Sequence, residues 1–282
     1  MSNKAMKIFL MIVLIFIAIC IVYRYKIFEQ GTLREKEKVV NWHPSRSVVE
    51  SPELSRISES DLTLSSVLEK IPTAIFLDIG ANIGYYTIQA AKLGHRVLAV
   101  EPTPDHLKRI HRALELENLT DNVVLLQNAL GVNRQAVNIY VSKVNKGDNL
   151  MMPLNSNPTL DTHKLSSTVV NAILLNDLEP VLSKISGPQN LESTPVVMKI
   201  DIQAMETAVL VTGAHVFAHV NVTFVSMEWE PASSGDVGQK NENLRRFFKE
   251  RNFLPFNCCK EGALVANMEK CPENVCWRRA DD

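Results

Sequence analysis

Residues 76–87, FLDIGANIGYYT, constrain the fold more than any other stretch of the chain. The apolar run Ala74–Leu77 is too short for a helix and suits a strand buried on both faces. Gly80 and Gly84 bracket a tight turn. Without a Cβ, such positions let the backbone bend sharply and let a ligand approach it closely. Tyr85–Leu93 then reads as a helix stopped by Gly94. A loop between a strand's carboxyl end and a helix amino end is where open α/β sheets bind nucleotides.

The following strand, Arg96–Val100, is apolar and ends in Glu101-Pro102. An acid about 20 residues past the first glycine can accept hydrogen bonds from both hydroxyls of a ribose. Gly80, Gly84 and Glu101 thus outline a pocket for an adenosine-containing ligand. A plain α/β core with a surface acid is the bland alternative. The loop is G-A-N-I-G and lacks the middle glycine that lets a pyrophosphate press against the helix in G-x-G-x-x-G. S-adenosylmethionine has no pyrophosphate. Asp78, just ahead of the loop, suits its ammonium and sulfonium, so charge complementarity favours it over NAD.

FLDIGANIGYYT, RVLAVEPTPDHLKRI and VVMKIDIQAMETAVL, in that order, resemble the FkbM family of S-adenosylmethionine-dependent O-methyltransferases over roughly Ile75 to Glu230. The resemblance implies a Rossmann-like class I methyltransferase fold: α/β, a mostly parallel sheet with helices on both faces. The family's third block usually reads K-I-D-V-E-G-A-E. Lys199, Asp201 and Glu206 match it, while Gln203 and Ala204 replace a glutamate and a glycine. The implied cofactor contacts are Asp78, Gly80, Asn82, Gly84, Glu101 and Asn128. Asn128 follows the strand Val123–Leu126, whose end lies beside the adenine in such folds; it bonds the adenine amino group or caps a turn. Asp201, at the end of the strand Val196–Ile200, comes to lie over the cofactor's methyl. With Glu228, at the end of the strand Thr223–Met227, it is the catalytic candidate. Asp201 orients or deprotonates an acceptor hydroxyl and Glu228 assists. The alternative is that Asp201 only holds the loop or the cofactor amine. Lys199 pairs with a carboxylate or merely flanks the strand end.

The chain has 282 residues, formal net charge −1 and 46% hydrophobic residues, enough for one sizeable core domain plus appendages. Near-neutral charge argues against nucleic acid as a partner. Ile8–Tyr23 is uninterrupted by charge. As a helix it is about 24 Å long, short against a hydrocarbon core of about 30 Å. Flanking Ala5, Met6 and snorkelling lysines and arginines extend it, so a single-pass helix is expected over about residues 6–24. A cleavable signal peptide would want an A-x-A-like site, and Ile21-Val22-Tyr23-Arg24 offers none. The expected organisation is a cytoplasmic tip and signal-anchor (1–28), a polar stem (29–56), a methyltransferase domain (57–257) and a cysteine-rich tail (258–282).

Flanking positive charge, counted alone, places the long domain in the cytoplasm. The sequons Asn118-Leu119-Thr120 and Asn221-Val222-Thr223 point the other way, as do the cysteines. Cys258, Cys259, Cys271 and Cys276 all fall in the last 25 residues, and an even cluster beyond a membrane signal suggests two disulfides stapling a tail. Pairing of adjacent Cys258 and Cys259 is strained, which leaves two connectivities. A zinc site would want close C-x-x-C pairs, and no metal is expected. The expected address is the Golgi or endoplasmic reticulum, with a lumenal catalytic domain.

Elsewhere, Asp61–Lys70 reads as an amphipathic helix beside the first strand. Thr103-Pro104 starts a helix with Leu107, Ile110 and Leu114 inward and His106 and His111 on its surface. Val137–Val141 reads as an extra strand, Lys143–Ser167 as an irregular substrate loop or insert, and Val169–Leu182 as a strand and short helix. Val196–Ile200 is expected beside the first strand, Gln203–Thr212 as a helix, and Leu254–Cys258 with Gly262–Val265 as a closing hairpin. The expected function is a membrane-anchored O-methyltransferase acting on a small-molecule or glycan hydroxyl, with a glycan or glycoconjugate favoured by location. The alternatives are a catalytically degenerate binding domain, suggested by Gln203 and Ala204, and a Golgi glycosyltransferase. The latter would commonly carry D-x-D, which does not occur.

Overall fold

A computed structural model describes residues 59–142, 149–154, 165–187, 190–203, 205–229, 235–258 and 274–280. The expected anchor and stem, residues 1–56, lie outside these. Among the described residues no helix is long and apolar enough to cross a membrane.

Helix α1 (Glu59–Lys70) precedes β1 (Ile75–Ile79), a strand buried at every position. Then come α2 (Tyr85–Lys92), β2 (Arg96–Val100), α3 (Pro104–Leu116) and β3 (Val123–Leu126). Four strands follow: β4 (Ala129–Leu130), β5 (Gln135–Ser142), β6 (Asn149–Pro153) and β7 (Leu165–Ile173). The chain continues through α4 (Glu179–Ser186), β8 (Val196–Ile200), α5 (Glu206–Val211), α6 (Ala214–His219) and β9 (Val222–Glu228). It closes with α7 (Gly235–Lys249), β10 (Phe253–Asn257) and β11 (Asn274–Arg279).

The main sheet has seven strands in the order β10-β11-β9-β8-β1-β2-β3. From β9 to β3 every pairing is parallel, and β11 alone runs against its two neighbours. Strand alternation sorts the core into two layers. Ile75, Leu77 and Ile79 of β1 join Leu98, Val100, Met198 and Ile200 under Leu182 of α4, Phe217 of α6 and Phe248 of α7. On the other face, Phe76, Val97, Ala99 and Val197 meet Leu64 and Leu68 of α1, Ala90 of α2 and Ile110 of α3. Each of the larger buried side chains contributes about 1.5–3 kcal/mol. Helices therefore cover both faces, as the near-continuous apolar strands require.

Val137–Val141 is a strand, as expected: it lies within β5, in a four-stranded sheet ordered β4-β7-β5-β6, with a small core of Ala129, Val137, Ile139, Val170 and Ala172. The expectation for Lys143–Ser167 needs correction. Of the stretch expected to be irregular, Asn149–Pro153 is strand β6 and Leu165–Ser167 opens β7; residues 143–148 and 155–164 lie outside the described residues. The partner of β10 is β11, with Phe256 opposite Cys276, and Gly262–Val265 lies outside the described residues. The expected boundary at residue 258 therefore cuts through the sheet, because β11 sits between β10 and β9. Cys258 and Cys276 form a disulfide across this edge, with Cα atoms 5.3 Å apart, which selects one of the two expected connectivities for this pair. Cys259 and Cys271 lie outside the described residues.

Candidate cofactor and acceptor site

Strand register brings the candidate residues together. Ile200, Ile79 and Val100 lie side by side across β8, β1 and β2, so Asp201, Gly80 and Glu101 occupy the next level, just beyond the carboxyl ends. Backbone bonds extend the ladder there: Asp201 N–H to the Ile79 carbonyl (3.0 Å), Gly80 N–H to Val100 (2.9 Å) and Glu101 N–H to Leu126 (3.1 Å). Met227 pairs with Ile200, so Glu228 ends β9 at the same level as Asp201. The chain builds β2 and β3 on one side of β1, then β8 and β9 on the other. The crevice at such a switch point is where open α/β sheets bind ligands.

The two glycines are required for a reason other than ligand approach. Both have left-handed backbones, with φ +79° at Gly80 and +86° at Gly84. A Cβ at Gly80 would collide with the Asp201 carbonyl, and one at Gly84 would lie 2.6 Å from Ile110 Cγ1. Their bare Cα atoms let the β1 loop pack against the β8 loop and against α3.

Glu101 latches this loop. Its side chain is buried, with 2% of its surface exposed. Oε2 accepts the Asn82 N–H at 2.9 Å. Oε1 accepts the Thr103 N–H at 2.9 Å and faces His106 Nδ1 at 3.2 Å. An ionised carboxylate only accepts, so Nδ1 carries the proton in that contact. These bonds use three of roughly four lone-pair positions of the carboxylate. Asn82 itself adopts φ +50°, a left-handed turn that aims its N–H at Glu101.

His106, expected on the helix surface, is 3% exposed. It occupies the third position of α3, where a side chain reaches back over the helix start, as in a capping box. That position behind Glu101-Pro102 was the available sequence signal. His111 lies at the surface, 3.7 Å from Glu115.

Asp78 lies beneath the loop on the α2 face of β1 and has no exposed surface. Thr87 of α2 donates to Oδ2 at 2.6 Å. Oδ1 has no partner among the described residues. Burial pushes this carboxyl up from the ordinary aspartate value, against the lowering pull of the Lys199 ammonium and the Thr87 hydroxyl. Lys199 is Asp78's registered neighbour on β8. Its Nζ lies 3.1 Å from Asp201 Oδ2 and 5.0 Å from the centre of the Tyr86 ring, so it pairs with a carboxylate rather than merely flanking the strand. Asp201 is 43% exposed, which leaves it accessible from the crevice.

The segment after Asp201 is held by Glu206, whose Oε1 accepts the Ile202 N–H at 2.8 Å. α5 consequently starts at Glu206, not at Gln203 as expected. Gln203, standing where the family has glutamate, has φ +57°, a conformation that costs a non-glycine residue about 1–3 kcal/mol. Asn128 Nδ2 donates to the Asn171 carbonyl at 2.9 Å, tying the end of β3 to β7. Gly80, Asn82, Glu101 and Asp201 are thus in one place, with Asp78 below them. An open groove of about 520 Å³ between α5 and α7, lined by Thr207, Val211, Arg246 and Phe247, contains none of the candidate residues.

The sequence profile of the methyltransferase FkbM domain matches residues 78–255. No curated protein matches the chain. Among solved structures, the chain is similar to methyltransferase FkbM from Methylobacillus flagellatus KT, at 13% identity and TM-score 0.43, over 73% of this chain and 43% of that one. It is similar to a Streptococcus mutans protein assigned as a methyltransferase and solved in complex with SAH, at 10% identity and TM-score 0.43, over 78% of this chain and 97% of that one. It is also similar to an rRNA methylase from Streptococcus thermophilus, at 9% identity and TM-score 0.43, over 79% of this chain and 98% of that one.

Proposed function

The chain belongs to the FkbM methyltransferase family, and from that premise we propose that it is a membrane-anchored O-methyltransferase whose acceptor is a hydroxyl of a glycan or glycoconjugate. S-adenosylmethionine is the cofactor and, when bound, supplies an electrophilic methyl group. The residues at the strand ends fit it. Glu101 keeps one acceptor position beside the β1 loop for a ribose hydroxyl. Asp78, buried beneath that loop, has an oxygen without a partner among the described residues, suited to an ammonium reached through water. The observation that carries the reading is the shared level of Asp201, Gly80 and Glu101 across β8, β1 and β2.

A neutral hydroxyl must lose its proton as its oxygen becomes nucleophilic. In this reading Asp201 takes that proton. Lys199 holds Oδ2, and the half-exposed side chain stays accessible to an acceptor. Glu228, level with it on β9, orients the acceptor. Most of the remaining rate comes from positioning the hydroxyl in line with the bond to be broken. The anchor and the address are supported by the apolar run Ile8–Tyr23 and by the buried Cys258–Cys276 disulfide, a bond that persists in oxidising compartments.

The test incubates membranes containing the full chain with methyl-labelled S-adenosylmethionine and extracted glycans, lipids and small alcohols. Label in the glycan or glycolipid fraction is expected, with Asp201→Asn slower by about 10²-fold at saturating cofactor. Label confined to non-glycan acceptors overturns the substrate class. A loss of less than about tenfold for Asp201→Asn removes its role as base.

A further inference from the structure

We propose that Asn118 carries an N-linked oligosaccharide and that Asn221, the other sequon residue, carries none. The proposal rests on the lumenal placement proposed above.

Both asparagines lie on the rim opposite the candidate site. α3 runs back from the carboxyl end of β2, so Asn118, just after it, lies at the amino rim of the sheet. Asn221 immediately precedes β9 on the same rim. A glycan there leaves the strand carboxyl ends open.

The two sequons differ in what the fold does with them. Asn118 is exposed and has φ +56°. Its N–H donates to the Glu115 carbonyl (3.2 Å), and the Leu119 N–H donates to Leu114 (2.9 Å). This is a Schellman closure of α3 made with backbone groups only. Asparagine tolerates the left-handed position, so the closure explains the residue without any modification. It does not explain Thr120 two positions on. Thr120 is exposed, and the short 3₁₀ turn that it begins has no side-chain cap. The acceptor residue and the hydroxyl-bearing residue of the sequon are therefore both exposed at one turn.

At the second sequon, Val222 is fully buried and Thr223 is 6% exposed inside β9. The Asn221 carbonyl accepts the Val196 N–H at 2.8 Å, and its Oδ1 faces Arg279 at 3.4 Å. A glycan at Asn221 would have to be carried by a segment that enters the middle of the sheet.

The transfer joins Asn118 Nδ2 to the anomeric carbon of an oligosaccharide donated by a polyisoprenyl diphosphate. The bond from that carbon to the diphosphate oxygen breaks, the lipid diphosphate leaves with the electron pair, and one Nδ2 proton is released.

The experiment expresses the full chain in a eukaryotic secretory cell with a C-terminal tag that carries its own reporter sequon, then digests it with a peptide N-glycosidase. Two mobility steps are expected, one from the tag and one from the chain. The chain's step is lost in Asn118→Gln and in Thr120→Ala and kept in Asn221→Gln. Methyl transfer by Asn118→Gln is expected to match the parent. A glycosylated tag on a chain without the Asn118 step overturns this proposal and leaves the lumenal reading standing. A step that survives Asn118→Gln and disappears in Asn221→Gln, or two steps from the chain, overturns it as well. An unmodified tag sinks the lumenal reading, and this proposal with it.

Discussion

Replacing Glu101 by glutamine tests whether one buried carboxylate holds the cofactor loop. The wild-type group receives N–H donors at both oxygens: Asn82 at Oε2, Thr103 and His106 at Oε1. Glutamine keeps one acceptor oxygen and presents an amide with its own hydrogens at the other end. The less costly orientation keeps the oxygen on Thr103 and His106, which turns the amide hydrogens toward the Asn82 N–H. One charge-assisted bond is lost, worth about 1.5–3 kcal/mol, and one buried N–H loses its partner, at about 1–3 kcal/mol. Relief from burying a charge offsets part of this, so a net loss of about 2 kcal/mol is expected. Applied to binding, about 2 kcal/mol is roughly a thirtyfold weaker Kd. Chemical denaturation reads the stability, and calorimetry with S-adenosylhomocysteine reads the affinity. His106→Leu is the comparison: it removes a donor but leaves the Asn82 latch, so stability falls while Kd moves by less than about threefold. If Glu101→Gln stays within about 0.5 kcal/mol of the parent and binds equally well, the latch does not exist as described.

Gly80→Ala is expected to destabilise by more than about 2 kcal/mol, since the left-handed backbone and the Asp201 carbonyl both oppose a Cβ; an unchanged denaturation midpoint refutes this. Asp78→Asn is expected to be more stable than the parent at pH 8, with the difference shrinking toward pH 4. The folded-state pKa of Asp78 is raised, so its favourable contribution is complete below the ordinary aspartate value and fades as pH rises through the raised one. A pH-independent difference would rule out a titrating Asp78. Cys276→Ala opens a disulfide joining residues 18 apart and is expected to cost about 3 kcal/mol. Equal stability of the oxidised parent and the variant argues against the bond.

The parts of this protein that were legible in the sequence are those encoded within a few consecutive residues. β1, its glycine turn and α2 follow from a short apolar run, two glycines and a helix-forming stretch. Glu101 and Asp201 were identifiable because each directly follows an apolar strand, and parallel register then brings both to the crevice. Helix–sheet–helix layering follows from strands that are apolar on both faces.

Tertiary structure alone decided what depends on partners distant in the chain. β11 reaches the sheet only through antiparallel pairing with β9, nearly fifty residues earlier, and nothing in its six residues specifies that slot. The second sheet likewise rests on pairing β5 with β7 across an intervening strand. Burial of His106 depends on Glu101 turning back under the loop, which makes a polar helix residue an interior one. The glycines were recognisable as obligatory, but what fills the space of their missing Cβ atoms, the Asp201 carbonyl and Ile110, comes from β8's loop and from α3. Local sequence specifies backbone conformation; which groups then occupy a given volume is set by packing, and packing is where the candidate site was completed.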